Sequence, residues 1–325
     1  WGGTATCHDV VSDNFADIRA ATNTTLDSSD IVIINAGSSS GREDFSAQVI
    51  ADLGEVFIHG VAIRPGHPVV LGICHGKPVL GIPGYPVSAA LTFELFVRPL
   101  IDECLCQTAV KPRTVPAVIA RKLVSPAGDD EFIRVQVGRV GKRTIAAPLD
   151  RGAGVIMSLV RADGLVKLPR FSEGVESGTK VDVELFGDTE PADHTAVAIG
   201  SHDPALDVLA SEISRRSKPL RLVSTNAGSY GGLLALRRDE AHLAGCHLLD
   251  PSTGTYNVTE VRRVLRGRNI TLVNFVLREQ GLIVPPGNPL QLRSVHDLTR
   301  NTTQKPTHTV TTMLQLFKIL QELFF

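Results

Sequence analysis

The run Ile31-Val32-Ile33-Ile34 is apolar on both of its faces, and a strand tolerates that only when it is covered from both sides. It stops at Ala36 and enters the small, hydroxyl-rich stretch Gly37-Ser38-Ser39-Ser40-Gly41. Glu43 and Asp44 follow, and then a helical pattern around residues 46–53. The same succession recurs downstream. "KPVLGI" precedes a helix opening at Pro86, and "AVAIG" precedes "DPALDVLASEISRR". "EVFIHGVAI" and "PVVLGIC" are further strands, and a helical pattern through Ile18 and Ala21 follows Asp13-Asn14. Strands alternating with helices predict an α/β fold with a parallel sheet covered on both faces.

Residues 109–187 read differently. "VPAVIARKLV", "DEFIRVQVGRV", "RTIAAPL" and "TKVDVELF" are short strands between turn residues, a small all-β module. "GDTEPADH" is a polar, Pro-containing linker. The α/β rhythm returns at Thr195, with "LRLVST" and "ITLVNFVL" as strands and "GGLLALRRDEAHL" and "VTEVRRVLRG" as helices. These changes put the domains at 1–107, 108–188 and 193–325.

The 325 residues have room for two or three such units. A hydrophobic fraction of 43% and a charged fraction of 21% are those of a soluble globular protein. A formal net charge of −1 without a basic block argues against a general nucleic-acid binder but leaves local anion pockets open. The five cysteines are unpatterned apart from Cys104-x-Cys106, which points to a reducing, cytoplasmic setting. That C-x-C reads either as a thiolate pair for a metal or as packing at a helix end. No apolar run reaches the ~18 residues of a membrane span, and no signal-peptide pattern is present. The opening at Trp1, in mid-pattern, reads as a fragment of a longer protein.

In an open α/β sheet, ligands lie beyond the carboxyl ends of strands. The loop 36–41 sits there and is either a backbone-and-hydroxyl cradle for an anion or a plain strand-to-helix turn. "GIPGYPVSAALTFELFVRP" adds Pro83-Gly84-Tyr85-Pro86. Pro86 suits a first helical turn, with Ser88 and free N–H groups at the positive end of the helix dipole. "AIRPGHP" sets Arg64 and His67 on a Pro-Gly turn, either an oxyanion clamp or an exposed turn with chance charges. Asp13 and Asp44 are each a helix cap or, beside a phosphate, a holder of Mg²⁺ through water.

Together, "SDIVIINAGSSSGREDF", "GEVFIHGVAIRPGHPVVLG" and "GIPGYPVSAALTFELFVRPLI" resemble the molybdopterin molybdenumtransferases of the MoeA and gephyrin-E type. That family usually reads GGVSVG, then D-Y/F, KPGKP and GLPGNPVSA. "DEFIRVQV" and "GAGVIMSLVRADGLVKLP" are similar to its C-terminal barrel. The resemblance implies a MoCF/MogA-like molybdopterin-binding domain followed by a β-barrel-like module. It implies insertion of molybdate into adenylated molybdopterin (molybdopterin-AMP) with release of AMP, assisted by Mg²⁺ or another divalent cation. It puts catalytic and metal-holding roles on Asp13 and Asp44. The two family lysines fall on Arg64 and His67, and the Pro-Gly-x-Pro turn on Pro83–Pro86. His67 brings a group that is neutral or charged near pH 7, and Tyr85 stands where Asn is usual. The family's N-terminal regions supply further acids from the partner of a homodimer. They are absent here, so the chain alone is expected to be inactive. The competing readings are a non-catalytic molybdate or pterin sensor and a molybdopterin adenylyltransferase-like enzyme. The Arg64–Pro68 turn and the β module argue against the latter.

The third segment resembles the periplasmic-binding-protein-like (PBP-like) domain fused behind some MoeA proteins. "STNAGSYGGLLAL", "GCHLLDPSTGTYN" and "LREQGLIVPPGNP" carry that likeness. Asp203 or Ser201 is expected to cap the helix at Pro204, and Asn257 with Glu260 reads as a capping box. Ser201, Ser229, Thr253 and Tyr256 are the ligand candidates, with molybdate or tungstate held by hydroxyls and helix N-termini. The tail, with Leu316, Ile319, Leu320 and Leu323 on one helical face, departs from the family and suggests an incomplete lobe.

Overall fold

A computed structural model describes residues 1–36, 45–108, 111–187, 194–216, 220–294 and 296–297, with the backbone alone at 36, 277–282 and 313–318. The loop 37–44, and with it Gly37, Ser38, Ser39, Ser40, Gly41 and Asp44, lies outside the described residues.

The first unit runs α1 (Phe15–Ser28), β1 (Val32–Ala36), α2 (Ser46–Leu53), β2 (Gly54–His59), β3 (Ile63–Arg64), β4 (Val70–Cys74), β5 (Lys77–Pro83) and α3 (Pro86–Thr92). A π-helical turn (Phe93–Val97) leads from α3 into α4 (Arg98–Cys104). Asn14, not Asp13, caps α1: its Oδ1 accepts the Asp17 N–H at 2.9 Å. The sheet order is β1-β5-β4-β2, and the sheet is mixed, not all parallel. β1 and β5 are parallel, as strand–helix alternation implies, whereas β5-β4-β2 is antiparallel. The reason is local. Only His75-Gly76 joins β4 to β5, both at positive φ (50° and 78°), which is the geometry of a two-residue hairpin and too short for a crossover. Both faces of the sheet are covered. Val49, Ile50, Val70 and Val79 pack in one cluster, and Val69, Leu80, Ile82 and Val97 in another.

The second unit contains β6 (Thr114–Ile119), β7 (Leu123–Val124), β8 (Asp130–Val140), β9 (Arg143–Pro148), α5 (Ile156–Arg161), β10 (Gly164–Leu168), β11 (Gly174–Val175) and β12 (Lys180–Leu185). The order β10-β12-β6-β9-β8, with β8 returning to β10, closes a barrel. Ile119, Leu123, Ile133, Val135, Val137, Val166 and Val183 fill it. Strand β3 leaves the first unit and pairs parallel to β8, with Arg64 opposite Glu131. This crossing strand brings the Arg64 turn against the barrel.

The third unit has β13 (Thr195–Gly200), α6 (Pro204–Arg216), β14 (Arg221–Asn226), α7 (Gly228–Arg237), α8 (Val258–Val264), β15 (Leu277–Leu282) and β16 (Met313–Lys318). β13 and β14 are parallel. The unit packs directly on the barrel. Val197, Ile199, Val223 and Ala235 share a core with Ala120, Val140, Ile145 and Ala147.

Several expectations change here. Residues 270–276 are irregular, and Leu272, Val273 and Phe275 are exposed. The strand begins only at Leu277, where β16 supplies an antiparallel partner. That same pairing makes 313–318 a strand instead of an amphipathic helix; Leu314 and Leu316 suit period two as well as a helical face. Ile319, Leu320 and Leu323 lie outside the described residues. Helix α7 stops at Arg237, and Asp239 turns the chain with φ of 56°. Cys104 and Cys106 are free and exposed, so the C-x-C is not core packing. Among the described residues, no helix is long and apolar enough to cross a membrane.

His242 ties the segment after α7 to β13. Its Nδ1 accepts the Val197 N–H at 3.0 Å, and its own N–H donates to the Val197 carbonyl at 2.8 Å. Burial pushes the imidazole pKa below its usual value. A depressed folded pKa means a contribution present above the unfolded value of about 6.5 and lost as pH falls through the folded one. The thermal midpoint is therefore expected to drop between pH 7.5 and 5.5, and His242→Asn, whose Oδ1 can accept the same N–H, should shrink that drop. An unchanged pH slope in the variant would remove His242 from the account.

Candidate functional site

The C-terminal ends of β1 and β5 lie side by side, Ala36 opposite Pro83. The chain leaves β1 into residues 37–44 and leaves β5 into Gly84-Tyr85 and α3, so both loops start from adjacent strand ends. Pro86 occupies the first turn of α3, where its missing N–H costs nothing. The Val87 N–H is not free for a ligand, as the sequence suggested, because it donates to the Ala153 carbonyl at 3.0 Å. The barrel loop has taken that helix-end donor.

This contact forms one wall of a cleft of about 600 Å³. Arg64, His67, Pro83, Tyr85 and Ser88 line it from the first unit, and Asp129, Arg151 and Ala153 from the barrel. The turn 64–68 is fixed by Gly66 (φ 110°), where a Cβ would stand 3.1 Å from both Ile63 Cδ1 and Thr92 Cγ2. Arg64 Nη2 donates to Asp129 Oδ2 at 3.1 Å, and His67 Nδ1 lies 3.9 Å from Asp129 Oδ1. Arg64 and His67 thus face one carboxylate. Arg151 Nη1 donates to Glu131 Oε1 at 3.0 Å and to the Val124 carbonyl at 2.7 Å. Glu131 is buried, as is Arg134 beneath it, whose Nη2 donates to the Asp150 carbonyl at 2.6 Å. Burial lowers the Arg134 pKa, with Asp150 and Glu131 acting the other way. Its Nε has no partner among the described residues.

Two guanidinium groups from different units, one anchored by a buried carboxylate, make a binding site for a planar or tetrahedral anion. Ser88 adds a hydroxyl, and Tyr85, 59% exposed, stands at the rim. Asp129, Glu131, Arg134 and Arg151 escaped the sequence reading. "GDDEF" and "DRGAG" look like ordinary barrel turns, and only the fold brings them to the 64–68 turn.

The carboxylate candidates are placed unequally. Asp13 is exposed just before α1. Phe15 and Phe45, neighbours of Asp13 and Asp44, pack on the same core cluster. No group of three His, Cys, Asp or Glu suited to a metal occurs among the described residues.

In the third unit, Asp203, not Ser201, caps α6, its Oδ1 accepting the Ala205 N–H at 2.9 Å. The Ser201 N–H donates to the Gly245 carbonyl at 2.8 Å. The Ser229 hydroxyl, buried, accepts the His247 N–H at 3.2 Å. The Thr253 and Thr255 hydroxyls bond each other at 2.7 Å within a turn organised by Asp250, and Tyr256 is exposed. Asn257 makes no side-chain cap on α8; its Oδ1 accepts the Leu248 N–H at 2.7 Å, and Glu260 pairs with Arg263. The Ser229, Thr253 and Asn257 side chains are thus engaged within the unit.

A mixed α/β domain whose strand-end cleft, lined by two arginines, is walled by a closed barrel defines the class to which the first two units belong. Comparison with known proteins makes it specific. Residues 1–103 match the model described as a probable molybdopterin binding domain, 116–186 the MoeA C-terminal region (domain IV), and 210–305 a PBP superfamily domain. A protein of Methanocaldococcus jannaschii named for molybdopterin biosynthesis is 36% identical over 185 residues, 57% of this chain and 44% of that relative. The molybdopterin molybdenumtransferase of Haemophilus influenzae is 28% identical over 180 residues, 54% of this chain and 45% of its own. A crystal structure of a molybdopterin biosynthesis MoeA protein from Pyrococcus horikosii is 35% identical, covering 53% of this chain and 41% of that one, with a TM-score of 0.45. The chain spans less than half the length of these curated relatives. Its first two units thus match the molybdopterin-binding and MoeA C-terminal domain models, and a PBP-like domain follows them.

Proposed function

We propose that the protein acts in molybdenum cofactor biosynthesis as a molybdopterin molybdenumtransferase, exchanging the adenylate of molybdopterin-AMP for molybdate. The observation that carries this reading is the meeting of Arg64, His67, Ser88 and Arg151 around one cleft. A pterin phosphate or a departing AMP needs fork-shaped donors on both sides, and Arg64 and Arg151 offer them. Asp129 holds Arg64 and His67 in place before the anion arrives and is their counter-charge when it leaves. Arg151, fixed by Glu131, keeps its geometry throughout, so binding costs little reorganisation. The loop 37–44 would close the site from β1, with Asp13 and Asp44 as its carboxylates, and a divalent cation would join them there. The regions that the relatives possess beyond this stretch would complete the site, in a homodimer.

A specific observation also favours a second reading. Because Asp129 already pairs with Arg64 and lies 3.9 Å from His67, the charge of the 64–68 turn is partly met before a ligand arrives, which suits weak binding of pterin or molybdate and a sensor's role. One experiment separates the two: AMP release from molybdopterin-AMP with molybdate, using the complete protein. Asp44→Ala should abolish it without altering the circular dichroism spectrum, and Arg151→Ala should lower kcat/KM about tenfold or more. AMP release that survives Asp44→Ala returns that residue to capping. Absence of turnover with retained pterin binding favours the sensor.

A further inference from the structure

A second cleft, of about 360 Å³, lies where the barrel meets α7. Arg121, Lys122 and Ser177 line it from the barrel. Ala227, Gly231, Leu234 and Arg238, one stripe of α7 at helical spacing, line it from the other side. The stripe starts small: a Cβ on Gly231 would stand 3.0 Å from the Ala227 Cβ. Hence the floor is recessed and apolar, while the rim is cationic. Lys122 pairs with Glu176 at 2.5 Å, and Arg238 donates to Glu240 at 2.8 Å and to Ser177 Oγ at 3.3 Å. Arg143 also reaches Glu240, at 3.4 Å. Glu240 is thus shared by two guanidinium groups. Arg121 adds a cation that lies in the opposed fields of Arg151 and Asp150, with burial already lowering its pKa. Positive charge exceeds its local compensation along this rim.

We propose that this cleft binds a small organic anion, its phosphate or carboxylate held by Arg121, Lys122 and Arg238 and its body lying on Ala227, Gly231 and Leu234. The charge that the loops of the PBP-like domain lack comes from the barrel on which that domain is docked. This site is separate from the pterin cleft and does not depend on that reading.

Calorimetric titration of the whole chain with phenyl phosphate, benzoate and inorganic phosphate tests it. Saturable binding of phenyl phosphate or benzoate is expected, weakening with added salt, and the tighter of the two names the charged end. Arg121→Gln should weaken it about tenfold or more, while Arg64→Gln, in the other cleft, should leave it unchanged. Gly231→Ala favours the helix, and Ala227, 3.0 Å from the added Cβ, need yield by only a few tenths of an ångström. By narrowing the floor it should weaken phenyl phosphate but not inorganic phosphate. The proposal is overturned if none of the probes saturates, or if binding survives Arg121→Gln and is lost in Arg64→Gln.

Discussion

Replacing Glu131 by alanine is expected to destabilise the protein by about 1–3 kcal/mol, less than for a fully buried ion pair because the Arg151 side chain is 37% exposed and screened by solvent. Glu131 is 4% exposed and is the carboxylate on which Arg151 rests, with the 2%-exposed Arg134 in its field. Without it, the buried Arg134 loses part of the negative field around it, while the half-exposed Arg151 turns to solvent. Glu131→Gln keeps the shape and an acceptor, so it should cost less. The denaturation midpoint with an unchanged m-value is the measurement. A loss below about 1 kcal/mol in the alanine variant would mean that Arg151 finds another anchor and that the wall of the first cleft is not built on this pair.

Gly138→Val is expected to separate the PBP-like domain from the barrel. A Cβ on Gly138 would lie 2.5 Å from Val197 Cγ2 and 3.2 Å from Thr195 Cγ2. Val197 is buried and β-branched, so it has no rotamer in which to yield. Overpacking of this kind costs about 1–3 kcal/mol. Here it is concentrated on one interface, where Val140, Ile145 and Ala147 meet Val197, Ile199 and Val223. Hydrogen exchange at the Val197 and Ile199 amides should accelerate in the variant while that of Ile133 and Val135, inside the barrel, stays slow. Equal protection in both proteins would show that β13 accommodates the side chain by sliding along β8.

Much of the first cleft was legible from residue order. Arg64, His67, Pro83, Tyr85 and Ser88 were singled out from turns and a proline-led helix start, features set by backbone chemistry within a few residues. The same local logic succeeded at Pro204 and Asp203, and short strands between turns pointed to an all-β module, whose closure as a barrel only the family resemblance implied. It failed wherever a polar group had a distant partner to choose. Asn257 looked like a cap and instead clamps Leu248. Ser229 looked like a ligand donor and instead holds His247. Val87 looked like a free helix-end amide and is taken by Ala153.

The division follows the range of the forces involved. Hydrophobic periodicity, proline geometry and the conformational freedom of glycine act within one element, so the sequence by itself determined the alternation of strands and helices and the turns that carry Arg64 and Pro86. The tertiary structure alone decided what faces those turns. Strand β3 crosses to β8 and brings Asp129, Glu131 and Arg151 to the cleft, and Gly138 lets β13 lie close against β8. Electrostatic and packing partners far apart in the chain become neighbours only once the barrel has closed, and no local pattern encodes which of them will meet.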